Sequence, residues 1–538
     1  MAAPWISENA VYQIYPMSFC DANGDGKGDL EGIISKLDYL QSLGIKTIWL
    51  SPIYESPMVD MGYDISDYYK INPVFGTMED FNKLISEMTK RNMKLVMDLV
   101  VNHTSDQCEW FKKAIADRDS PYRGYYIFRQ GQNGKEPNNW KSSFLGSAWE
   151  KVPHEENMYY LHLFSKQQPD LNFHNEKVIQ EVEKILAYWM DKGVYGFRCD
   201  VISCIYKDSY EDGVKAPLGV PVGQEHYVAT PGCHSILKRI RKDVIEPRHG
   251  VLIGECLGAT LDNSAAFLDH ELDTFFTFAH VNINGDKWSK EYVNPAVFKK
   301  ILVDWQSKID WNGNYLENHD QHRSISKYVK PGFETVGSKM LLTLIYTLRG
   351  TPFIYMGEEL GFRDYPSLSY SDCHDCVTQF IFNMATGMHL PKGLAFLKAR
   401  HNGRDDARYP MAFNDSDGYG FSAPGVIPWQ KYNPLCQELN AKTEEADPES
   451  TLAYFKKINA LRQTSPVLSY GSIRFLEAPK DVLSFIREKD GQKIWVALNF
   501  SNKTRKVSFQ PGKLLLSNTE KTEENKLSPY QAILVTLD

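Results

Sequence analysis

The chain alternates eight short apolar segments with longer amphipathic ones, and this alternation limits the folds open to it. Short apolar runs bounded by polar residues predict buried parallel strands, and the segments between them have the spacing of helices. A strand followed by a helix, repeated eight times, predicts the α/β class and a (β/α)8 TIM barrel. The predicted strands are Val11–Tyr15, Thr47–Leu50, Leu95–Val100, Val194–Arg198, Val251–Gly254, Thr274–Phe278, Asn314–Leu316 and Pro352–Tyr355. The predicted helices include Gly32–Leu43, Met78–Arg91, Glu176–Lys192, Ser235–Val244 and Val336–Leu348.

Two parts of the chain depart from this alternation. The stretch after His103 is too long for a loop between a strand and a helix, so we expect a small inserted domain after the third strand. Beyond Ser465 the pattern becomes alternating, and Asp490-Gly491 between two such runs predicts a β-hairpin. The expected domains are a barrel at 1–104 and 175–465, an inserted domain at 105–174, and a C-terminal antiparallel β-sandwich at 466–538.

Four of the predicted strands end in polar residues of a similar kind. The carboxyl ends of barrel strands meet at one face, where enzymes of this fold build their active sites. Three carboxylates and two histidines would therefore converge, which core packing alone does not explain. The four segments are Asp98–His103, Gly196–Val201, Ile253–Glu255 and Glu317–Asp320.

The carboxylates suit the cleavage of a glycosidic bond. A retaining glycosidase needs one carboxylate as nucleophile and one carboxylic acid that protonates the leaving oxygen. Arg198 precedes Asp200 by two residues and so lies on the same strand face, where it would keep Asp200 ionised. Glu255 follows an apolar run, and partial burial would raise its pKa, as a general acid requires. The alternative for any one of these carboxylates is a structural ion pair.

The two histidines and the last carboxylate suit the binding of a sugar. His103 and His319 can form hydrogen bonds with hydroxyl groups. Asp320 can hold hydroxyl groups more tightly as the ring flattens toward an oxocarbenium ion. The five residues together predict an enzyme that acts on a carbohydrate.

The four segments resemble the conserved regions of the α-amylase superfamily, glycoside hydrolase family 13, over nearly the whole chain. Tyr12–Pro16, Trp49–Pro57 and Gln168–Asn172 resemble the oligo-1,6-glucosidase and α-glucosidase branch. This branch also contains dextran glucosidases, trehalose-6-phosphate hydrolases and sucrose isomerases. The resemblance implies a retaining, exo-acting α-glucosidase whose partner is a small oligosaccharide substrate.

The resemblance also implies roles for individual residues. Tyr63 would stack beneath the terminal glucose, and Asp60 would pair with Arg408 at the closed end of a pocket. Packing in the core is the alternative for Tyr63 and for the two phenylalanines named below. The implied nucleophile, acid/base and transition-state stabiliser are Asp200, Glu255 and Asp320. The other expected substrate contacts are His103, Phe144, Phe164, Gln168, Arg198, Val201 and His319.

Val201, directly after the implied nucleophile, bears on the linkage that is cleaved. In relatives, valine here accompanies a preference for α-1,6 bonds, whereas alanine or threonine accompanies α-1,4. We therefore expect hydrolysis of terminal α-1,6-linked glucose of isomaltose and isomalto-oligosaccharides. The alternatives are a broad or α-1,4-specific α-glucosidase, and a transglucosylase or sucrose isomerase. The arginine-rich segment of sucrose isomerases is replaced by Arg323–Tyr328, which argues against isomerisation.

The chain departs from the family pattern at a few positions, and we expect several of them near the leaving group. They leave the acceptor sugar undetermined, whereas the catalytic residues are retained. Non-catalytic transporter heavy chains resemble this barrel but have lost such residues, so a binding subunit is disfavoured. The departures are Met17, Phe173-His174, His322 and Ala412-Phe413.

A second motif places oxygen-bearing side chains at alternate positions of a glycine-rich loop, as calcium loops do. The twelfth position is Gly32, so the bidentate glutamate of an EF-hand is missing. The family resemblance implies a structural Ca²⁺ or Mg²⁺, and a glycine-rich turn without metal is the alternative. The implied ligands are Asp21, Asn23, Asp25, Asp29 and the main-chain carbonyl of Lys27.

The composition excludes several other partners. The 60 basic and 68 acidic residues give a net charge of −8 without charge runs, so we expect neither nucleic acid nor a membrane as partner. No apolar stretch reaches the roughly 18 residues of a membrane span, and the N-terminus does not look like a signal peptide. Nine dispersed cysteines indicate a reduced, cytoplasmic protein, which we expect to be a monomer. Cys373 and Cys376 favour an ordinary loop or a disulfide over a metal site.

Overall fold

The computed structural model describes residues 4–144, 146–215, 221–283, 292–365 and 369–537 of the 538-residue chain. Within these ranges the strands are β1 (Val11–Ile14), β2 (Thr47–Leu50), β3 (Tyr54–Glu55), β4 (Asp67–Ile71), β5 (Lys94–Leu99), β6 (Phe128–Gln130), β7 (Trp149–Lys151), β8 (Met158–Leu161), β9 (Gly196–Cys199), β10 (Val251–Glu255), β11 (Thr274–Phe276), β12 (Asn312–Asn314), β13 (Gly350–Tyr355), β14 (Ser472–Phe475), β15 (Val482–Lys489), β16 (Gln492–Asn499), β17 (Arg505–Lys506), β18 (Lys513–Ser517), β19 (Lys526–Leu527) and β20 (Ala532–Leu537).

The α-helices are α1 (Pro4–Glu8), α2 (Leu30–Ser35), α3 (Leu37–Ser42), α4 (Met78–Lys90), α5 (Glu109–Ala116), α6 (Glu176–Asp191), α7 (Pro231–Ile240), α8 (Pro295–Lys308), α9 (Ser324–Tyr328), α10 (Glu334–Thr347), α11 (Cys376–Gly387), α12 (Lys392–Asn402), α13 (Ala441–Ala446), α14 (Thr451–Thr464) and α15 (Pro466–Tyr470). None of the described helices is both long and apolar enough to cross a bilayer.

Eight parallel strands form the barrel, in the order β11, β10, β9, β5, β2, β1, β13 and β12. The two ends of this order meet, because a Cβ placed on Gly313 of β12 would lie 2.9 Å from the carbonyl oxygen of Phe275 in β11. Trp49, Ile253 and Phe353 are among the side chains of the inner core, and a larger core lies between the strands and the helices. The predicted (β/α)8 fold is confirmed.

The helices form where an apolar stripe follows a capping residue. The Thr77 side chain accepts the N–H of Asp80 at the start of α4, and the Asp80 side chain accepts that of Thr77, which satisfies both groups. Phe81, Leu84 and Met88 then bury one face of α4. Burying such a side chain contributes about 1.5–3 kcal/mol, so packing rather than helix propensity stabilises these helices.

Some helix boundaries differ from the prediction. The predicted helix at Gly32–Leu43 is two short helices, because Lys36 has non-helical dihedral angles between α2 and α3. The predicted helix at Ser235–Val244 begins earlier, at Pro231, where Thr230 caps it, and it continues past Ile240 as a π-helical turn. Helices α11 and α12, which pack against each other after β13, were not among the predicted segments.

A small sheet is inserted between β5 and α6. Its three antiparallel strands have the order β6, β8, β7. Lys207, after β9, forms a buried ion pair with Asp170 (Nζ to Oδ2, 2.7 Å) and donates to Asn102 Oδ1 at 2.9 Å. These contacts fix the inserted segment against the barrel next to His103, which follows Asn102.

The C-terminal strands form a separate antiparallel arrangement. The sheet β14-β15-β16-β20-β18 faces the short pair β17-β19 across a core that includes Trp495, Val507 and Leu527. Asp490 and Gly491 have φ angles of +51° and +81°, as a two-residue turn between β15 and β16 requires. The predicted hairpin and the antiparallel C-terminal part are confirmed.

Candidate active site

One buried arginine, Arg198 of β9, holds three carboxylates at the carboxyl end of the barrel. Its Nη1 donates to Asp98 Oδ1 at 2.6 Å and to Asp200 Oδ1 at 2.7 Å, and its Nη2 lies 2.7 Å from Glu255 Oε2. The strand register brings them together, since Asp98 of β5 and Ile253 of β10 both pair with Arg198. Asp200 and Glu255 are therefore neighbours, as the two carboxyl groups of a retaining glycosidase must be.

The pKa of Asp200 depends on its burial and on the charges around it. Burial raises this pKa well above its usual range; Arg198 opposes the rise, and the charges of Glu255 and Asp98 add to it. One guanidinium faces three carboxylates, so the repulsion between the carboxylates works against Arg198. That Arg198 keeps Asp200 ionised stays a prediction.

Val201, next to Asp200, has a left-handed backbone with φ +37°, which β-branched residues rarely adopt. This conformation turns its N–H toward Glu255 Oε2, at 3.1 Å. The Val201 side chain is buried where a 3-10 turn begins. The strained backbone therefore helps to hold the Glu255 carboxylate, and strain of this kind clusters at functional sites.

Asp320, which follows β12, is held by two arginines and a histidine. Arg404 Nη1 and Arg408 Nη2 each lie 3.0 Å from Asp320 Oδ1, and His319 Nε2 lies 3.0 Å from Oδ2. Burial alone would raise the pKa of Asp320, but these three neighbours outweigh it and hold the pKa well below its usual range. Asp320 is therefore a fixed negative charge that could stabilise a positively charged sugar ring.

Tyr63 and the two predicted histidines form one wall of the site. The Tyr63 ring stacks on His319 with centroids 5.2 Å apart and an interplanar angle of 4°, and its hydroxyl lies 3.3 Å from Asp98 Oδ2. His103 Nε2 lies 3.0 Å from the Tyr63 carbonyl oxygen. Gln13 Nε2 lies 2.8 Å from His319 Nδ1.

Asp60 is ion-paired as predicted, but with a different arginine. Arg404 Nη2 donates to Asp60 Oδ1 at 2.8 Å, and Gln168 Nε2 donates to Asp60 Oδ2 at 3.2 Å. The prediction that Arg408 pairs with Asp60 is wrong. Arg408 Nε instead donates to the His319 carbonyl oxygen at 2.9 Å. A 3-10 turn separates the two arginines and directs them to different groups.

The predicted aromatic residues Phe144 and Phe164 lie together on another side of the site. Both are half-buried, and their rings meet edge to face at 5.7 Å. The Arg404 guanidinium lies over the Phe144 ring at 5.9 Å, and the Phe164 ring is 5.3 Å from that of His103. They could therefore contact a ligand bound beside Arg404.

Two residues of the site were missed by the sequence analysis. Arg404 stands four residues before Arg408, so the tract contains two arginines and sequence alone cannot tell which one reaches Asp60. Asp98 lies in the first of the four polar segments, opposite Arg198 in the strand register. The position of Asp98 in that segment was the sequence signal that could have indicated its contact with Arg198.

Comparison with known proteins shows the family of the chain. The sequence profile described as "Alpha amylase, catalytic domain" matches residues 13–471. The chain belongs to the alpha-amylase family. Oligo-1,6-glucosidase from Parageobacillus thermoglucosidasius is 40% identical over 99% of both chains, and that from Bacillus cereus is 40% identical over 100% of both.

Solved structures of family members share the fold along the whole chain. Trehalose-6-phosphate hydrolase from Bacillus licheniformis is 35% identical with a TM-score of 0.91, covering 99% of this chain and 100% of that one. Isomaltulose synthase from Klebsiella sp. LX3 is 35% identical with a TM-score of 0.92, covering 99% of both. The predicted family, fold and glycoside hydrolase class are confirmed.

Three departures from the family pattern lie in the core. Met17, Phe173 and Phe413 are buried, and the Phe413 ring packs edge to face against Phe19 and Tyr39 at 5.5 and 5.4 Å. Their size suits packing. The catalytic carboxylates Asp200 and Glu255 are buried as well, so the expectation that several departures lie near the leaving group stays a prediction.

His322 is a polar departure that lies two residues after Asp320. Its Nδ1 lies 3.1 Å from Asp364 Oδ2, and its Nε2 lies 3.0 Å from the carbonyl oxygen of His401. Burial disfavours the charged form, but Asp364 outweighs it and raises the pKa of His322. Asp364 therefore favours the protonated form of this histidine, at a position where the family pattern has proline.

The predicted metal loop is folded around its own carboxylates. Asp21 accepts the N–H groups of Gly24 and Gly26 at 2.7 and 2.8 Å, and Asp29 accepts that of Gly32 at 2.6 Å. In the part of the chain that the structure describes, no group of three or more His, Cys, Asp or Glu side chains is placed to hold a metal. The predicted set also relies on an asparagine and a main-chain carbonyl, and the metal stays a prediction.

Proposed function

We propose that the protein is a retaining, exo-acting α-glucosidase that hydrolyses terminal α-1,6-linked glucose of isomaltose and isomalto-oligosaccharides. The observation that carries this proposal is the single guanidinium of Arg198, which holds Asp200 and Glu255 together at 2.7 Å each. Asp320 lies nearby as a fixed charge. The two oligo-1,6-glucosidases at 40% identity support the linkage.

In the first step an Asp200 oxygen attacks the anomeric carbon while Glu255 gives its proton to the leaving glycosidic oxygen. The bond to the leaving sugar breaks as the bond to Asp200 forms, and Asp320 stabilises the positive charge on the ring. A water molecule then attacks the glucosyl-Asp200 ester and gives its proton to Glu255. Two inversions return the α configuration.

The exo-acting character follows from the residues around Asp60. Asp60, Gln168 and Arg404, which we call the glucose end, are joined by hydrogen bonds of 2.8 and 3.2 Å. Asp60 and Gln168 are buried, and Arg404 is mostly so. Such a network would close this end of the site, so it would bind the hydroxyl groups of a terminal glucose.

The proposed linkage preference rests on Val201. This residue directly follows Asp200, and its backbone N–H donates a hydrogen bond to the Glu255 carboxylate. A branched side chain here would obstruct an α-1,4-linked leaving sugar more than an α-1,6-linked one, whose extra methylene group carries it away from the barrel strands.

The test of the reaction is the configuration of the first product. With isomaltose, proton NMR should show glucose released as the α anomer before mutarotation. Initial β-glucose would contradict the double displacement, and absence of turnover on any α-glucoside would favour a non-catalytic binding protein. The isomaltulose synthase that shares the fold makes transfer a second candidate. Isomaltulose or trehalulose as the main product from sucrose would favour that candidate.

We propose that the Asp21–Asp29 loop binds a structural Ca²⁺. An all-oxygen donor set of carboxylates, an amide and a carbonyl fits a hard cation. Dialysis against a chelator should lower the melting temperature, and added Ca²⁺ should restore it. Asp25→Asn, at an exposed position of the loop, should weaken the effect. An unchanged melting temperature would contradict the proposal.

We also propose a monomer in a reducing, cytoplasmic location. All nine cysteines are free, which supports a compartment where thiols stay reduced. Light scattering after gel filtration should give one chain of 61.6 kDa per particle. A stable dimer would contradict the monomer.

A further inference from the structure

The tract Cys373-His374-Asp375-Cys376, to which the sequence analysis gave no function, lies against the glucose end. Asp375 is buried, and its Oδ1 accepts hydrogen bonds from Arg404 Nε at 3.0 Å and from Nη2 at 2.6 Å. Its Oδ2 accepts the main-chain N–H of Arg404 at 2.9 Å. One carboxylate therefore holds both the side chain and the backbone of Arg404.

The remaining donors of Arg404 face groups that would touch the sugar. Nη2 also donates to Asp60 Oδ1 at 2.8 Å, and Nη1 donates to Asp320 Oδ1 at 3.0 Å. Because a guanidinium is planar, fixing its Nε edge through Asp375 fixes the directions of the other donors. The Arg404 side chain, which Asp375 holds, then sets the distance from Asp60 to Asp320.

The fold places Asp375 firmly although the α11–α12 hairpin separates it from Arg404. Asp405 Oδ1 accepts the main-chain N–H groups of His374 and Asp375 at 2.7 and 3.0 Å. Thr378 Oγ1, in the first turn of α11, donates to Asp405 Oδ2 at 2.8 Å. The base of the hairpin is thereby closed, and a group supported in this way can position another accurately.

We propose that Asp375 is a positioning residue, which acts through Arg404 to set the places of Asp60 and Asp320 around the bound glucose. It does not touch the sugar, since it is buried behind Arg404. Without the charge of Asp375, Arg404 would be attracted only to the carboxylates of Asp60 and Asp320 and could rotate between them. This inference rests on the proposed function, because it requires that Asp60 and Asp320 act on a sugar.

The test is a double-mutant cycle with p-nitrophenyl α-glucoside as substrate. Asp375→Asn should lower kcat/KM by about 10- to 100-fold, as displacement of a binding group by about 1 Å does. In an Arg404→Ala background the same substitution should have no further effect. Additive losses would overturn the proposal, because Asp375 would then act independently of Arg404.

A pH profile separates positioning from a merely structural role. Arg404 helps to hold the pKa of Asp320 low, so displacing Arg404 should raise that pKa and move the acidic limb of kcat to higher pH in Asp375→Asn. The matched control is Ile381→Val, a buried apolar position on helix α11. It should lower the melting temperature but leave kcat/KM within about twofold and the acidic limb unchanged. An unshifted acidic limb in Asp375→Asn would contradict the proposal.

Arg404→Lys keeps the inference testable if Asp375→Asn does not fold. Lysine keeps the charge but lacks the planar edge that Asp375 holds. It should lose as much activity as Arg404→Ala, and full activity of the lysine variant would overturn the proposal. A wild-type enzyme without turnover would instead contradict the proposed function, so the two failures are distinguishable.

Discussion

The glucose end and the acceptor side of this site are built differently. At the glucose end, Asp60, Gln168 and Arg404 form a buried, charged network. On the proposed acceptor side, which we define as Val201 and His322, an apolar side chain directly follows Asp200, and an ion pair with Asp364 is formed two residues after Asp320. A hydrolase and a synthase share this fold at TM-scores of 0.91 and 0.92. The fold alone therefore does not determine the product.

The largest effect is expected where both ends meet, at the catalytic carboxylates. Glu255→Gln should lower kcat for isomaltose by about 10²–10⁴-fold, since it removes the proton donor. Asp200→Ala should lower it at least as much, because no ester can form. The loss in Glu255→Gln should be smaller with p-nitrophenyl α-glucoside, whose leaving group needs less protonation. Equal losses with both substrates would argue against Glu255 as the acid.

A substitution at the glucose end should affect all linkages equally. Asp60→Asn removes a charged partner of the terminal glucose, and hydrogen bonds to charged groups contribute about 1.5–3 kcal/mol, or roughly 10- to 150-fold. We expect the same loss of kcat/KM for isomaltose, maltose and p-nitrophenyl α-glucoside. A loss that depends on the linkage would show that Asp60 does not bind the terminal glucose.

A smaller effect is expected on the acceptor side, in the pH dependence of stability. Asp364 raises the pKa of His322, so the protonated histidine stabilises the folded state at low pH. That contribution is present below the unfolded pKa and is lost as pH rises through the folded one. His322→Asn should therefore lower the melting temperature by about 1–2 °C at pH 5.5 and by less at pH 8.5. A larger loss of melting temperature at pH 8.5 than at pH 5.5 would contradict an ion pair between His322 and Asp364.

Much of the barrel could be predicted because its strands are apolar and end in polar residues. The seventh strand was displaced, at Asn312–Asn314 rather than Asn314–Leu316, because its own residues are polar. Their amides bond to neighbouring groups, as Asn312 Nδ2 does to the Ile309 carbonyl oxygen at 3.3 Å. Patterns of apolar residues do not reveal such a strand.

The details of the site required the three-dimensional arrangement. The choice between Arg404 and Arg408 depends on a 3-10 turn that directs each side chain. The raised pKa of Asp200 depends on how many carboxylates surround Arg198, and the strand register decides this number. The proposed role of Asp375 depends on the α11–α12 hairpin, which brings Asp375 and Arg404 into contact although they are 29 residues apart. The strand register and the hairpin bring together residues that lie far apart in the sequence.

If Val201 makes this glucosidase prefer α-1,6 bonds, the decisive measurement is the ratio of kcat/KM for isomaltose to kcat/KM for maltose. The wild type should prefer isomaltose, and Val201→Ala, which removes the branched side chain, should narrow or invert the ratio. A methyl-sized change in a pocket is worth about 1–3 kcal/mol, or roughly 10- to 200-fold. Because the glucose end is untouched, turnover of p-nitrophenyl α-glucoside should be nearly intact. A wild-type enzyme that prefers maltose about tenfold would show that Val201 does not direct the enzyme to α-1,6 bonds.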